Sequence, residues 1–245
     1  MPSITPEVLE KLRAYDSPTI CNVIELFDVR PRTSGFMDAR IRACFPEMPP
    51  VVGFAATATF RASAPPLGMD IYGSLDVQVE RFSELSGPPI VVFQDLDDPA
   101  VAATFGEIMC TTYQTFGSVG LITSGAGRDL DQVRKIGYPV FTGGTISAHG
   151  YCHIPDIHVP VRVGGLVVNP DDLLHMDVNG VTSIPKEIAA QVADACEAYV
   201  ASEMMTLNAL HAYGQDQDIE KVRAAKKEAK RQVAELRERV GKSIL

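Results

Sequence analysis

The feature that most constrains the fold is an alternation of strand-like and helix-like segments between residues 89 and 142. The apolar run in PIVVFQDLDD (89–98) is followed by a helical segment between Gly106 and Gly117. A second short apolar run, 119–122, is followed by a second helical segment that ends at Gly137. Strands that alternate with helices pair in parallel, because each helix carries the chain back across one face of the sheet. The pattern predicts a parallel α/β layer.

After residue 158 the pattern changes to short apolar runs separated by turn residues. The turn signals are Gly164-Gly165, Asn169-Pro170-Asp171 and Asn179-Gly180. Such pairs and triplets are typical of β-hairpins. They predict an antiparallel β layer in addition to the parallel one.

Both ends of the chain are predicted to be helical. Apolar residues from Val222 to Val240 form one narrow seam along a helix, which needs an apolar partner on the body or on a neighbouring subunit. We expect a single domain over 1–245, with its core at about 50–186. N-terminal helices and an arm occupy 1–49, and C-terminal helices that make oligomer contacts occupy 187–245.

Composition and charge exclude several classes of protein. The formal net charge of −9 disfavours nucleic acid as a partner. No apolar run is long enough to cross a membrane, and the N-terminal residues carry charges and prolines where a secretory signal has an apolar core. We therefore expect a cytoplasmic protein without a membrane partner. The five cysteines are widely spaced and lack a CxxC pair, which predicts buried free thiols.

An Arg-Asp pair follows a tight turn in TSGAGRDLDQV (123–133). Gly125 and Gly127 allow the turn, at positive φ if the backbone requires it. The turn lies at the carboxyl end of a predicted parallel strand, where α/β sheets bind ligands. Arg128 offers a planar fork for a carboxylate, and Asp129 offers oxygen to a divalent cation such as Mg²⁺. The alternative is a plain helix N-terminus, with Asp129 as its cap and Arg128 paired with a surface acid.

Gly106 and Glu107 begin the preceding helical segment. The free N–H groups of a helix N-terminus form an anion site. If the two strand-helix units are neighbours, both helix N-termini open to one cleft, and Glu107 becomes a partner for a metal or a water molecule. The alternative is that Glu107 is an ordinary acid of a first helical turn, favoured by the helix dipole.

Three histidines and a cysteine lie close together in SAHGYCHIPDIH (147–158). A zinc site needs four converging ligands, and Gly150 argues against a helix that would bring His149 and His153 together. Either of these two histidines could line a pocket and move protons. The alternative is that they are structural histidines with satisfied hydrogen bonds.

Three pieces of the sequence resemble the RraA-like family, which includes 4-hydroxy-4-methyl-2-oxoglutarate aldolase and the ribonuclease E regulator. The resemblance is good over roughly residues 90–185. It rests on Gly106-Glu107 followed by Arg128-Asp129, on YPVFTGG (138–144), and on VPVRVGGLVVNPDDLLHMDVNGVTSIP (159–185). The family resemblance implies an α/β/β sandwich related to swivelling domains, assembled as trimers or hexamers.

The resemblance also implies roles for individual residues. Arg128 corresponds to the arginine that binds a pyruvyl carboxylate, and Asp129 to the aspartate that holds Mg²⁺ or Mn²⁺, partly through water. Backbone N–H groups of the loop after Gly106 are implied in substrate binding. A glutamate from a neighbouring subunit's C-terminal helix joins the metal shell, a role that Glu203 fits loosely and Glu197 fits as an alternative. The full set of implied site residues is Gly106, Glu107, Ile108, Met109, Arg128, Asp129, His153 and Glu203.

This sequence departs from the family pattern at three places. Gln132 stands where aldolase members often have an acid, although Asp131 is adjacent. Thr123-Ser124 stands near a position where an acid is common. Asp171 stands where the family usually has glycine. These departures leave the arginine and the aspartate in place and put the identity of the substrate in doubt.

The function that the resemblance implies is a divalent-metal-dependent lyase acting on short 2-oxo acids. It would perform retro-aldol cleavage of 4-hydroxy-2-oxo acids, or oxaloacetate decarboxylation, through a pyruvate enolate. The alternative is a non-catalytic binding protein that regulates a partner, as the ribonuclease E regulator does.

Overall fold

The computed structural model describes residues 4–67, 73–216 and 218–241. The chain divides into two compact units, one of residues 34–186 and one that combines residues 1–33 with 187–245. Part of the predicted N-terminal arm, residues 34–49, thus belongs to the unit that contains the sheet. The expectation of one domain over 1–245 stays a prediction.

Helices begin and end close to the glycine and proline residues that predict their ends in the sequence. The helix predicted between Gly106 and Gly117 covers Glu107–Thr115, and the next helix is followed by Gly137 at a φ of 68°. Short 3₁₀ helices cover Glu25–Phe27, Arg81–Glu84 and Lys186–Ile188. The α-helices of the described residues are α1 (Pro6–Arg13), α2 (Ser17–Ile24), α3 (Gly73–Glu80), α4 (Glu107–Thr115), α5 (Leu130–Lys135), α6 (Ala189–Asp216) and α7 (Ile219–Gly241).

The strands fall into one large and two small sheets. The large sheet has seven strands in the order β1-β7-β5-β3-β2-β11-β12, and the small ones pair β9 with β10 and order β4-β6-β8. The described strands are β1 (Arg42–Ala43), β2 (Val51–Phe60), β3 (Pro89–Asp95), β4 (Ala103–Phe105), β5 (Gly120–Thr123), β6 (Ala126–Gly127), β7 (Val140–Thr142), β8 (Gly144–Thr145), β9 (Val161–Val163), β10 (Leu166–Val168), β11 (Leu173–Asp177) and β12 (Gly180–Ile184).

The centre of the large sheet is parallel, as the alternation of strands and helices predicts. Strands β2, β3, β5 and β7 pair in parallel, whereas β1, β11 and β12 are antiparallel additions at the two edges. Parallel pairing places the carboxyl ends of β3, β5 and β7 at the same edge of the sheet. The loops that carry the candidate residues all begin at this edge.

Side chains of the central strands alternate between two cores. In β3, Val91 and Phe93 pack into a core with Tyr113 of α4 and Val133 of α5. Ile90 and Val92 pack on the opposite face, where the core includes Val161, Val163 and Val168 of the β9–β10 hairpin. A strand that is covered on both faces is apolar throughout, which explains the continuous run PIVVF. The predicted three-layer α/β/β arrangement is therefore confirmed.

The antiparallel segment is also confirmed, and its turns follow the predicted residues. Gly164 and Gly165 both have positive φ, at 53° and 79°, as the two-residue turn between β9 and β10 requires. Asp171, at the position where glycine is usual in the family, adopts a φ of 69°. Its carboxylate accepts hydrogen bonds from Ser86 and from the Lys186 ammonium at 2.7 Å, which compensates for the less favourable backbone.

The unit of residues 1–33 and 187–245 is helical. The seam predicted on α7 is buried through Val222, Ala229, Leu236 and Val240, and the helix packs on α6 and on the 3₁₀ turn at 25–27. The narrow apolar stripe is thus covered within one chain. None of the described helices combines the length and the apolar character needed to span a membrane.

Candidate active site

Three loops of the parallel sheet are joined by a small sheet that they form together. Strands β4, β6 and β8 follow β3, β5 and β7 along the chain and pair in parallel with one another. The backbone N–H of Arg128 donates to the carbonyl of Phe105 at 3.1 Å. The buried Thr104 hydroxyl bridges the same loops through Thr123 and the carbonyl of Ala126, each at 2.9 Å. The start of α4 is therefore held against the Arg-Asp pair.

The Asp129 carboxylate binds the N-terminus of the neighbouring helix. Its Oδ2 accepts the backbone N–H of Glu107 at 3.1 Å. Asp129 itself has a left-handed φ of 56° and makes no side-chain capping bond to α5, the helix that it precedes. Asp129 thus occupies the N-cap position of α5, as the alternative expects, but its carboxylate does not cap that helix and binds the N-terminus of α4 instead.

Three glycines allow the close approach of these loops. A Cβ at Gly106 would lie 2.6 Å from Oδ2 of Asp129 and 3.3 Å from Nε of Arg128. A Cβ at Gly125 would lie 2.3 Å from Oδ2 of Asp95, and one at Gly127 would lie 2.0 Å from the Phe105 ring. Neither Gly125 nor Gly127 is among the residues with positive φ. They are glycines because the loops touch, and the expectation of a possible positive φ at these two glycines is wrong.

A cavity of about 540 Å³ opens at the junction of the two loops. This volume is within the usual range for small-molecule sites. The sequence-predicted residues Gly106, Glu107, Arg128 and Asp129 meet in its wall. The described lining consists of Phe60, Leu75, Ala103, Phe105, Gly106, Glu107, Ile108, Met109, Arg128, Asp129, His149 and Cys152.

One part of the cavity wall is built to bind an anion. The first N–H groups of α4 have no partner within the helix, and Gly106 has no side chain with which to cap them. Asp129 accepts the N–H of Glu107, while those of Ile108 and Met109 follow it in the first turn. Arg128 adds a full positive charge, its Nε lying 3.8 Å from Oδ2 of Asp129. A ligand carboxylate placed here would meet a guanidinium and the positive end of a helix dipole.

The histidine segment contributes His149 and Cys152 to the cavity. His153 instead forms a bridge with Arg61 through backbone hydrogen bonds in both directions, and its Nδ1 lies 2.7 Å from the Tyr151 carbonyl. The Cys152 thiol donates to the His149 carbonyl at 2.6 Å, and burial raises the pKa of this thiol. Cys152 therefore remains a neutral thiol, and the role of His153 in substrate binding stays a prediction.

Glu203 and Glu197 lie on α6, in the other compact unit. Glu203 lines a groove between α6 and α7 together with Ser202, Lys226 and Lys230. Burial raises the pKa of Tyr199 to about 12, and the neighbouring Glu203 carboxylate contributes to this rise. Whether Glu203 or Glu197 reaches the cavity of a neighbouring subunit stays a prediction.

The cavity offers a divalent cation one carboxylate anchor. Among residues 4–67, 73–216 and 218–241, no group of three or more His, Cys, Asp or Glu side chains is arranged to hold a metal. Asp129, pre-positioned by the Glu107 amide, fits a cation such as Mg²⁺, which keeps several waters and needs only one or two protein carboxylates. The same donor set does not fit a closed zinc site.

Asp95 is a residue of this region that the sequence analysis missed. It ends β3, its Oδ1 accepts the N–H of Asp97 at 3.0 Å, and its Oδ2 lies against Gly125. Burial raises the pKa of the Asp95 carboxyl to about 6, with help from the Asp97 and Asp98 carboxylates. The signal in the sequence is the acidic run DLDD at the carboxyl end of a predicted strand.

We predict that Asp95→Asn changes the pH dependence of folding stability. A carboxyl whose pKa is raised on folding stabilises the protein below its unfolded pKa, and this contribution is lost as pH rises through about 6. The asparagine side chain does not ionise, so its contribution to stability does not change with pH. Its oxygen can still accept the Asp97 N–H. Urea unfolding should show the variant gaining stability relative to the parent chain between acidic pH and pH above 7.

Asp131→Asn is the matched control, because the Asp131 side chain is 86% exposed. Its stability should follow that of the parent chain at every pH. A constant difference between Asp95→Asn and the parent chain across this range would show that folding does not raise the pKa of the Asp95 carboxyl.

Comparison with known proteins agrees with the resemblance stated from the motifs. The RraA-like family profile, described as Aldolase/RraA, matches residues 18–182, which is more than half of the chain. A Halalkalibacterium halodurans protein whose name proposes a 4-hydroxy-4-methyl-2-oxoglutarate aldolase is 33% identical over 102 residues, or 41% of this chain and 49% of that protein. The chain spans about half or less of the length of the curated relatives that it matches.

Solved structures share the fold. A crystal structure described as that of novel cellulases from microbes of the gut ecosystem has a TM-score of 0.68 at 23% identity, over 83% of this chain and 88% of that one. Streptomyces coelicolor RraAS2, described as an unusual member of the RNase ES inhibitor RraA protein family, has a TM-score of 0.66 at 21% identity, over 82% and 96%. At these identities the likeness concerns the fold alone. The profile match, together with the motifs and the fold, shows that the chain belongs to the RraA-like family.

Proposed function

We propose that the chain is a divalent-metal-dependent lyase that cleaves a C–C bond of short 2-oxo acids and releases pyruvate. The observation that carries this proposal is the meeting of Arg128, Asp129 and the N-terminus of α4 in the wall of one cavity. A guanidinium and helix amides suit a carboxylate, and an adjacent aspartate suits a cation beside the 2-oxo oxygen. A 2-oxo acid presents these two groups on neighbouring carbons.

The roles of the residues follow from their chemistry. The Arg128 fork, with the amides of Ile108 and Met109, binds and orients the substrate carboxylate. Asp129 would hold Mg²⁺ or Mn²⁺, which when bound supplies positive charge where the 2-oxo oxygen becomes negative. The position of Asp129 is fixed in advance by the Glu107 N–H, so the carboxylate does not have to reorganise during the reaction. Apart from the neutral Cys152 thiol, Glu107 and His149 are the remaining ionisable side chains of the described lining, and they are proposed to move protons.

A non-catalytic regulator is the alternative, since the family description covers both aldolase and RraA members. A regulator that acts only by binding a partner protein needs no carboxylate site in a cavity. Pyruvate release that depends on added Mg²⁺ or Mn²⁺, from oxaloacetate or from the monocarboxylate 4-hydroxy-2-oxopentanoate, separates the two functions. Its absence with both compounds at every metal concentration would leave the regulatory function as the better proposal.

We propose that the active form is a homo-oligomer, a trimer or a pair of trimers, in which α6 of one copy supplies an acid to the site of another. The likeness to the RraA family supports the assembly, and Glu203 and Glu197 are the acids carried by α6. Large apolar side chains of this helix are also exposed, which is typical of a surface that contacts a partner. These residues are Met204, Leu207, Leu210 and Tyr213.

Mixing two inactive variants tests the shared site. After partial dissociation and reassembly, Arg128→Ala and Glu203→Ala chains should recover part of the pyruvate-releasing activity, because some interfaces then combine an intact Arg128 with an intact Glu203. An active monomer in sedimentation would contradict the shared site. A stable trimer without recovery would transfer the role to Glu197.

Arg128→Lys should reduce kcat/KM although the charge is retained. The lysine cannot form the two parallel hydrogen bonds of a guanidinium to a carboxylate. Loss of one charge-assisted bond is worth about 1.5–3 kcal/mol, which is roughly ten- to more than a hundredfold in kcat/KM for pyruvate release. Arg134→Lys, an exposed position on the following helix, is the control and should behave as the parent chain. Unchanged kinetics in Arg128→Lys would mean that Arg128 does not bind the substrate.

Asp129→Asn should abolish the metal-stimulated reaction while the fold is retained. The amide oxygen can still accept the Glu107 N–H, so the loop geometry is kept, whereas the charge that attracts a cation is lost. Steady-state rates at increasing Mg²⁺ or Mn²⁺ concentration, with circular dichroism as a check on folding, measure the effect. Asp131→Asn is the matched control. Activity within a factor of about two of the parent chain would rule out Asp129 as the metal ligand.

A further inference from the structure

The charged groups of the cavity are outnumbered by apolar ones. Phe60 and Phe105, which line it, are almost completely buried, and Ala103 and Cys152 are also buried. Leu75 and Met109 pack against the same apolar core as Phe60. These six side chains form what we call the apolar wall: Phe60, Leu75, Ala103, Phe105, Met109 and Cys152.

The described lining of the cavity contains few charged side chains, and they differ in sign. Arg128 is the permanent cation of this lining, Glu107 and Asp129 are carboxylates, and His149 and the neutral Cys152 thiol are the other ionisable groups. The 1-carboxylate of a 2-oxo acid uses Arg128 and the amides of α4, and the divalent cation of the proposed function compensates the charge of Asp129. A second carboxylate on the group at C4 would then face Glu107 and the apolar wall. Removing such a group from water without a partner is unfavourable.

The size of the cavity indicates that the apolar wall contacts a substantial part of the substrate. The cavity volume of about 540 Å³ lies within the usual range of sites that hold drug-sized ligands. A pyruvyl group fills only a small part of this space. The rest is available to the group on C4 of the substrate, and an apolar group gains free energy by leaving water there.

We propose, on the basis of the function proposed above, that the substrates are 4-hydroxy-2-oxo monocarboxylates with an apolar or aromatic group on C4. The 4-hydroxyl loses its proton, the C3–C4 bond breaks, and C4 leaves as an aldehyde. The electron pair of that bond stays on C3 as the pyruvate enolate, which takes up a proton to give pyruvate. The atoms and electrons balance without an oxidant or a reductant. Selectivity arises because the apolar wall accepts the aldehyde half and disfavours a second carboxylate.

The test compares pyruvate release from three substrates by the full chain with Mg²⁺ or Mn²⁺. These are 4-hydroxy-4-phenyl-2-oxobutanoate, 4-hydroxy-2-oxopentanoate and the dicarboxylate 4-hydroxy-2-oxoglutarate. The kcat/KM for the phenyl substrate should exceed that for the dicarboxylate about tenfold or more. Equal values, or a preference for the dicarboxylate, would overturn the selectivity.

A variant of the apolar wall provides the second measurement. Leu75→Lys places a cation on the wall and should shift the ratio of dicarboxylate to phenyl kcat/KM upward by about tenfold. Val77→Lys is the matched control, since Val77 lies on the same helix, is 47% exposed and is not part of the described lining. If Leu75→Lys does not fold, Leu75→Ala should raise KM for the phenyl substrate more than for the methyl one. An unchanged ratio in the folded lysine variant, or equal KM changes in the alanine variant, overturns the role of the wall.

The outcomes separate the two proposals. Release of pyruvate from oxaloacetate and from the dicarboxylate, without a preference for the phenyl substrate, overturns the selectivity and leaves the lyase function in place. No metal-dependent pyruvate from any of these compounds overturns both.

Discussion

The hydrogen bond from the Glu107 amide to the Asp129 carboxylate is the interaction on which the site depends. It joins the N-terminus of α4 to the loop after β5 at 3.1 Å. The bond requires a left-handed Asp129 and a residue without a side chain at 106, because a Cβ there would lie 2.6 Å from the carboxylate oxygen. Aspartate tolerates that backbone conformation better than most residues do. The contact holds the N-terminus of α4 beside the Arg128-Asp129 pair in the wall of the cavity.

The small β4-β6-β8 sheet makes the contact possible. Parallel pairing of β3, β5 and β7 brings three loops to one edge, but it does not fix how those loops lie against one another. The short strands continue the pairing beyond the main sheet and lock the loops in register, with Ala103 opposite Ala126 and Gly127 opposite Thr145. The buried Thr104 hydroxyl joins the loop after β3 to the segment of Thr123 and Ala126. A rigid scaffold of this kind lets Arg128 and Asp129 be held in place before a ligand arrives.

The site combines a charged end with an apolar remainder, and each part supports a different element of the proposed function. The guanidinium and the helix amides recognise a carboxylate, and the single aspartate suits a hydrated cation that is shared with the substrate. The apolar wall contributes little to the chemistry of the 2-oxo group and acts on the group that leaves. Family membership is consistent with the charged end of the site. The apolar wall is inferred from the side chains that line the cavity in this chain.

The sequence alone determined the layers. Buried parallel strands, glycine-ended helices and the Gly164-Gly165 turn are short-range patterns, so a parallel α/β layer and an antiparallel β layer could be predicted from them. The three-layer α/β/β arrangement and the roles of Arg128 and Asp129 were implied by the family resemblance, and the meeting of Gly106-Glu107 with Arg128-Asp129 was expected only if the two strand-helix units are neighbours. The tertiary structure decided what depends on contacts between distant segments. Strands of two or three residues have no sequence signal, so the small sheet was not predictable. His149 rather than His153 lines the cavity because a bridge to Arg61 engages the backbone of His153. The direction of the Asp129 carboxylate and the burial of Asp95 were likewise decided by packing, because both result from loops that are adjacent in space and separate in sequence.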